Sequence, residues 1–113
     1  MMVSLFLEKA KPGRDAAAYR DDYWKRLQKK DPANRQDVRL REQGDMATLE
    51  FRIKVVVIPL DYRSLNAMWV RDGVWVDLHI SRGPSGPDDQ ALFENILATA
   101  RFEDQPQPAS ANR

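Results

Sequence analysis

Hydrophobic residues alternate with polar ones in some segments of this chain and recur every three or four positions in others. The run of large apolar residues over 2–8 predicts a strand, which the turn residues Pro12 and Gly13 close. The spacing then becomes helical, and it predicts a helix over 14–30 that stops before Pro32. The apolar face of that helix consists of Ala16, Tyr19, Tyr23 and Leu27.

The middle of the chain predicts two antiparallel hairpins. Apolar and polar residues alternate on both sides of Gly44-Asp45, as they do in strands that bury one face. Two further apolar runs, 62–70 and 74–81, flank an Asp-Gly dipeptide. Asp-Gly is typical of hairpin turns because the turn requires positive φ.

A second helix is predicted after a loop rich in glycine and proline. We expect Asp88 or Asp89 to cap it. Its buried stripe is formed by Leu92, Phe93, Ile96, Leu97 and Ala100. Residues 103–113 offer little to bury, so they predict a disordered tail behind a single domain over 1–102.

The elements together predict an α+β fold in the order β-α-β-β-β-β-α. A mainly antiparallel sheet of about five strands would be packed by two helices. The chain has 113 residues, which suffices for one domain with a core of its own.

Composition narrows the classes of function. The formal net charge is +1, whereas nucleic-acid binders usually carry a strong positive excess, so we do not expect nucleic acid as a partner. The chain has no cysteine and one histidine, and we therefore expect no cofactor and no metal site. No apolar stretch is long enough for a membrane span or a signal peptide, and we expect a cytoplasmic protein.

A family resemblance lies in the second half of the chain. An Asp-Gly turn leads into Val-Trp-Val-Asp-Leu-His-Ile-Ser at 74–81, and the second helix ends in Ile-Leu-Ala-Thr-Ala-Arg-Phe at 96–102. By residue type, 62–102 resembles the PsbP/Mog/DcrB-like α-β-α sandwich superfamily, in which such a strand and such a helix end are common. By order of elements, the resemblance extends over 2–102.

The resemblance implies a scaffold that binds partners. Members of the superfamily are mostly binding proteins, including photosystem assembly factors and chaperones for secreted bacterial effectors. They usually begin with a further hairpin, and the resemblance implies that this chain starts at the next strand with a bare sheet edge. Bare edges pair readily with other chains, so we expect a homodimer.

The best candidates for chemistry lie on the last predicted strand. Trp75, Asp77, His79 and Ser81 alternate with apolar residues and should share one face of the sheet. Their residue types match a nucleophile triad, but neighbours on one face of a strand are about 6 to 7 Å apart, which argues against catalysis. The alternative is a small-molecule pocket lined by this face and by Arg82.

Two other groups of residues are candidates for binding. Arg39, Arg41, Arg52 and Lys54 predict a cationic stripe on the first hairpin, but Glu50 lies in the same row and favours an ordinary solvated face. Trp69 and Trp75 flank the Asp-Gly turn, which suggests a cross-strand pair. They are expected in the core or, if exposed, as anchors for a protein partner.

These observations favour a non-enzymatic protein-interaction module, such as an adaptor, a chaperone-like protein or an assembly factor. Its partner would be another protein or a second copy of itself. A small-molecule-binding protein or minor enzyme that uses Trp75, Asp77 and His79 is the alternative.

Overall fold

The predicted class and order of elements are confirmed. The computed structural model describes residues 1–30, 35–55 and 60–102. Its elements are β1 (Met2–Lys9), α1 (Ala16–Lys30), β2 (Arg35–Gln43), β3 (Met46–Val55), β4 (Leu60–Arg71), β5 (Val74–Arg82) and α2 (Asp89–Thr99). The strands form one five-stranded sheet in the order β1-β5-β4-β3-β2, and every neighbouring pair is antiparallel.

The two helices lie on opposite faces of the sheet. On one face, Tyr19 of α1 packs with Met68 and Trp75, and further along α1 Leu27 packs beside Phe51. On the other face, Phe93 of α2 packs with buried residues of β4 and β5. Because side chains alternate along each strand, the molecule has three layers, with an "α1 face" and an "α2 face" of the sheet.

α1 begins two residues later than the predicted helix over 14–30. Asp15 precedes the first helical residue, and its carboxylate oxygen accepts a hydrogen bond of 2.9 Å from the amide of Ala18. This is an N-terminal cap that satisfies one of the first free amides of the helix. The predicted apolar face is confirmed, since Ala16 and Tyr19 are buried and Tyr23 and Leu27 pack against the same core.

α2 is shorter than the sequence predicts and ends at Thr99. Asp88 occupies the cap position without a side-chain cap bond, whereas the Oδ2 of Asp89 accepts a hydrogen bond of 2.7 Å from the amide of Gly86 in the preceding loop. Ala100 lies beyond the helix and is exposed, so the predicted buried stripe was wrong at that residue. The predicted tail over 103–113 lies outside the described residues.

Both predicted turns are present. Gly44 and Gly73 have φ of 59° and 74°, and Asp72 has φ of 51°, a region that glycine and aspartate tolerate better than branched residues. The Asp72-Gly73 turn pairs Arg71 with Val74 and thereby fixes the β4–β5 register. Neither helix of the described part is long and apolar enough to cross a membrane.

Candidate functional site

A polar cluster occupies the α1 face at the centre of the β4–β5 hairpin. The register places Asn66 opposite His79 and Met68 opposite Asp77. Asn66 donates a hydrogen bond of 2.9 Å from Nδ2 to Oδ1 of Asp77. The Oγ of Ser64 and the Nε2 of His79 share another hydrogen bond of 2.9 Å, whose direction follows the imidazole tautomer. Ser64, Asn66, Asp77 and His79 are the "polar cluster" of this face.

Burial controls the protonation of this cluster. It raises the pKa of Asp77, against the opposing effects of the Asn66 hydrogen bond and of His79. It lowers the pKa of His79, against the opposing effect of Asp77. Burial, followed by the charge of Asp77, also raises the pKa of Tyr23 on α1. The cluster therefore favours neutral side chains more than solvent does.

Two members of the polar cluster were missed from the sequence. Ser64 and Asn66 come from β4, and Ser64 rather than Ser81 is the serine bonded to His79. Ser81 lies on the same strand as His79 and pairs with Ser64 across the hairpin. The alternation of polar residues with Leu65 and Ala67 would have indicated them, once the Asp-Gly turn fixed which residues face each other.

The expected cross-strand pair of Trp69 and Trp75 was wrong. Trp69 is opposite Val76 and Trp75 is opposite Val70, so the two indoles lie on different faces of the sheet. Both are buried, and both belong to the core. Trp75 stacks on Tyr19 with ring centroids 4.4 Å apart, and Trp69 meets Phe102 edge-on.

Arg82 does not join Asp77 and His79 in a pocket. It lies on the α2 face, where its Nε is 3.5 Å from the carboxylate of buried Asp89. That ion pair connects the end of β5 to the start of α2. The expected grouping of Arg82 with Trp75, Asp77 and His79 was therefore wrong.

The residues of the predicted cationic stripe share the α2 face, but acidic and amide groups interrupt them. Arg52 makes two hydrogen bonds, of 3.0 and 2.9 Å, with the carboxylate of Asp61, and the pKa of Asp61 falls to about 2 because of this pairing. Arg39 donates to Gln90 at 3.2 Å. Glu50, opposite Arg39, is paired with Arg63. Arg41 and Lys54 are exposed to solvent.

Metal binding finds no support in the described part of the chain. Across residues 1–30, 35–55 and 60–102, no three histidine, aspartate or glutamate side chains come together in a way that would hold an ion. Asp77 and His79 share one face of β5, but one carboxylate with one imidazole is too few ligands.

A second candidate surface lies at the β1 edge of the sheet. β1 pairs with β5 on its inner side, and no strand of the described chain pairs with its outer side. All eight of its residues are exposed. Its large apolar residues are between 50% and 61% exposed and comprise Met2, Val3, Leu5, Phe6 and Leu7. This combination of apolar residues and an unpaired edge is unusual for a strand in water.

An apolar groove adjoins this edge on the α2 face. It has a volume of about 830 Å³ and lies between β1 and the segment that follows α2. Leu5 and Leu7 form one side of it, while Val76, Leu78 and Phe102 contribute to its floor and opposite side. The exposed apolar surface therefore continues from the strand into the sheet face.

A comparison of the chain with protein-family models found no match, and a comparison with curated proteins found none either.

Proposed function

We propose that this chain is a non-enzymatic protein-interaction module that binds a second copy of itself at the β1 edge. The observation that carries the proposal is the exposure of all of β1, although its central residues, Val3 to Leu7 apart from Ser4, are large and apolar. Folding normally removes such side chains from water, at about 25 cal/mol for each Å² buried. A surface that keeps them exposed gains this free energy when a partner covers it.

The backbone of β1 supports the same function. The outer side of an edge strand presents amide and carbonyl groups at the regular spacing of a strand, which serve as a template for a further strand. Strand addition combines these hydrogen bonds with side-chain contacts on alternating positions. β1 offers both components together, since its Leu5 and Leu7 also border the apolar groove.

The test is the solution mass, measured by light scattering on a size-exclusion column over a dilution series. We expect a mass near twice 13.0 kDa at micromolar concentration, with dissociation on dilution. A mass of 13.0 kDa across the whole series would overturn the proposal in this form. A mass that rises with concentration without reaching a plateau would also overturn it, because it would indicate aggregation rather than recognition.

A small-molecule site at the polar cluster is the second candidate function. One observation favours it: Asn66 is 2% exposed, and its Oδ1 has no hydrogen-bond partner among the described residues. Leaving such an atom unpaired costs about 1–3 kcal/mol, which a ligand with an N–H or O–H group would recover. The test is NMR of the His79 ring with small amides and alcohols as probes, with Asn66→Leu as the control. Shifts that persist in Asn66→Leu would dismiss this candidate.

A further inference from the structure

The faces of β1 follow from its pairing with β5. Leu5 is opposite Leu78 and Leu7 is opposite Val76, and those partners pack near Leu97 of α2. Odd-numbered residues of β1 therefore lie on the α2 face. Phe6 lies on the other face, where its ring meets Trp75 edge-on at 5.4 Å.

Symmetry restricts how a second copy can pair with this edge. Two identical antiparallel strands are related by a two-fold axis perpendicular to the sheet, and residues opposite each other share a face. Because neighbouring residues of a strand point to opposite faces, an odd-numbered residue must face an odd-numbered residue of the second copy, and an even-numbered residue an even-numbered one. The two-fold axis therefore passes between one residue and the same residue of the second copy. The central choices are Ser4, Leu5 and Phe6.

An axis at Leu5 gives the best match of side chains. Leu5 then faces the Leu5 of the second copy, and Val3 faces Leu7 on both sides of the axis. With the axis at Phe6, the apolar pairs would be divided between the two faces, with Phe6 facing Phe6 on the α1 face and Leu5 facing Leu7 on the α2 face, and Val3 would lose its apolar partner to Lys9. With the axis at Ser4, the paired segment is shorter, because Glu8 and Lys9 of each copy have no β1 residue of the other copy opposite them.

We infer that a second copy of this chain covers the β1 edge, in antiparallel pairing with Leu5 at the two-fold axis. The inference rests on the proposed function and gives the register of the pairing. Two five-stranded sheets join into one continuous sheet of ten strands. On the α2 face, three apolar cross-strand pairs then replace exposed leucine and valine side chains.

Charge and shape support a second copy as the occupant. The charged residues of β1 are Glu8 and Lys9, both at its end. In this register Glu8 faces Met2 of the other copy and Lys9 faces Met1, so no two charged side chains of β1 oppose each other. The Val3 of the second copy stands opposite Leu7, at the mouth of the apolar groove. The side chains of β1 are therefore compatible with those of a second β1 strand in this pairing.

Single cysteine variants test the register directly, because the chain contains no cysteine of its own. Cα atoms directly opposite each other on antiparallel strands are about 4.5 to 5.5 Å apart, within the range that a disulfide spans. We expect Leu5→Cys to form a disulfide-linked dimer under mild oxidation. Ser4→Cys or Phe6→Cys alone should not, since their own copies are about 8 Å apart, beyond that range.

A mixture sharpens the test. Ser4→Cys mixed with Phe6→Cys should cross-link, because those positions face each other across the two-fold axis. Leu40→Cys is the matched control, since Leu40 is an exposed leucine on the opposite edge of the sheet. Leu5→Cys should react at least about tenfold faster than Leu40→Cys, whose thiols meet only by collision.

The outcomes separate the register from the function. Preferential cross-linking of Ser4→Cys or Phe6→Cys alone would overturn the Leu5 axis and leave self-association standing. A mass near twice 13.0 kDa without faster cross-linking at any β1 position would overturn β1 pairing. A mass of 13.0 kDa for the unmodified chain, with all variants reacting at the Leu40→Cys rate, would overturn the inference and the proposed function together.

Discussion

β1 and β2 both lie at an edge of the same sheet, but their side chains differ in nearly every respect. β1 carries five large apolar residues and confines its charges to its last two positions. β2 carries five charged residues among nine: Arg35, Asp37, Arg39, Arg41 and Glu42. The β2–β3 register also shifts between Gln36 and Arg39, and Asp37 there has φ of 53°.

Charges and bulges are the usual means by which an edge strand avoids pairing with other chains. Among the described residues, the sheet therefore has one protected edge and one that is open, although neither edge strand pairs with a further strand on its outer side. The difference teaches that an unpaired edge alone does not mark a candidate interface. What distinguishes β1 is apolar exposure combined with a regular backbone.

The largest expected effect comes from placing charge at the centre of β1. Leu5→Lys should weaken self-association by at least about 100-fold, because two leucines are lost from the interface at about 1.5–3 kcal/mol each and 1.4 kcal/mol is tenfold. Leu40→Lys on β2 is the matched control and should leave the mass unchanged. Light scattering over a dilution series measures both. If the two variants weakened self-association equally, the proposed difference between the β1 and β2 edges would be wrong.

A smaller effect is expected from removing the protection of β2. In the Leu5→Lys background, Arg39→Val combined with Arg41→Val should restore weak self-association, at least about tenfold weaker than that of the natural chain, because the bulge remains. The control keeps the charges through Arg39→Lys and Arg41→Lys and should stay monomeric. If the valine variant is also monomeric, the bulge rather than the charges protects this edge.

Salt should change self-association only slightly. The proposed pairing buries apolar side chains and opposes no two charged side chains, so its dissociation constant should vary by less than about threefold between 0.05 and 0.5 M salt, over which the Debye length falls severalfold. Sedimentation equilibrium at each ionic strength measures the constant. A steep dependence would assign the association to the charged residues, such as those of β2, instead of to β1.

The smallest expected effect concerns His79, whose strand lies directly beside β1. Burial lowers its pKa in the folded chain, so between that value and about 6.5 the unfolded chain binds more protons. Stability should therefore fall as the pH decreases from 8 to 5. His79→Gln keeps a hydrogen-bonding group near Ser64 and should remove the part of this pH dependence of stability that comes from His79. Urea unfolding at pH 8 and pH 5 measures the free energy of unfolding of the unmodified chain and of the variant. An equal fall in both would refute the assignment of this pH dependence to His79.

The order of elements could be predicted from the sequence because each periodicity is local. Alternation over β3 and the spacing of Ala16, Tyr19 and Tyr23 both arise from residues close together in the chain. The register of β4 with β5 was equally accessible, since the Asp-Gly turn fixes it, and it would have separated Trp69 from Trp75.

The partners of distant elements could not be predicted in the same way. Nothing near β1 in the sequence indicates that β5 is its neighbour, because strands about 70 residues apart leave no common pattern. The burial of Arg20 could not be predicted from the sequence for the same reason. It is buried on α1, where it donates to the carbonyl of Arg41 at 2.8 Å and to the carboxylate of Glu42.

The pairing of β1 with β5 also has a consequence during synthesis of the chain. Met2 pairs with Ser81 and Lys9 pairs with Val74, so β1 is translated well before the strand that will hold it. At about 5–20 residues per second, the delay is on the order of 4 to 15 s. Through this interval the most apolar strand of the sheet lacks β5, its neighbour in the folded chain, and a nascent chain beside it on the same polysome presents an identical strand. The edge that we assign to recognition is therefore also a segment that a holding chaperone would protect during synthesis.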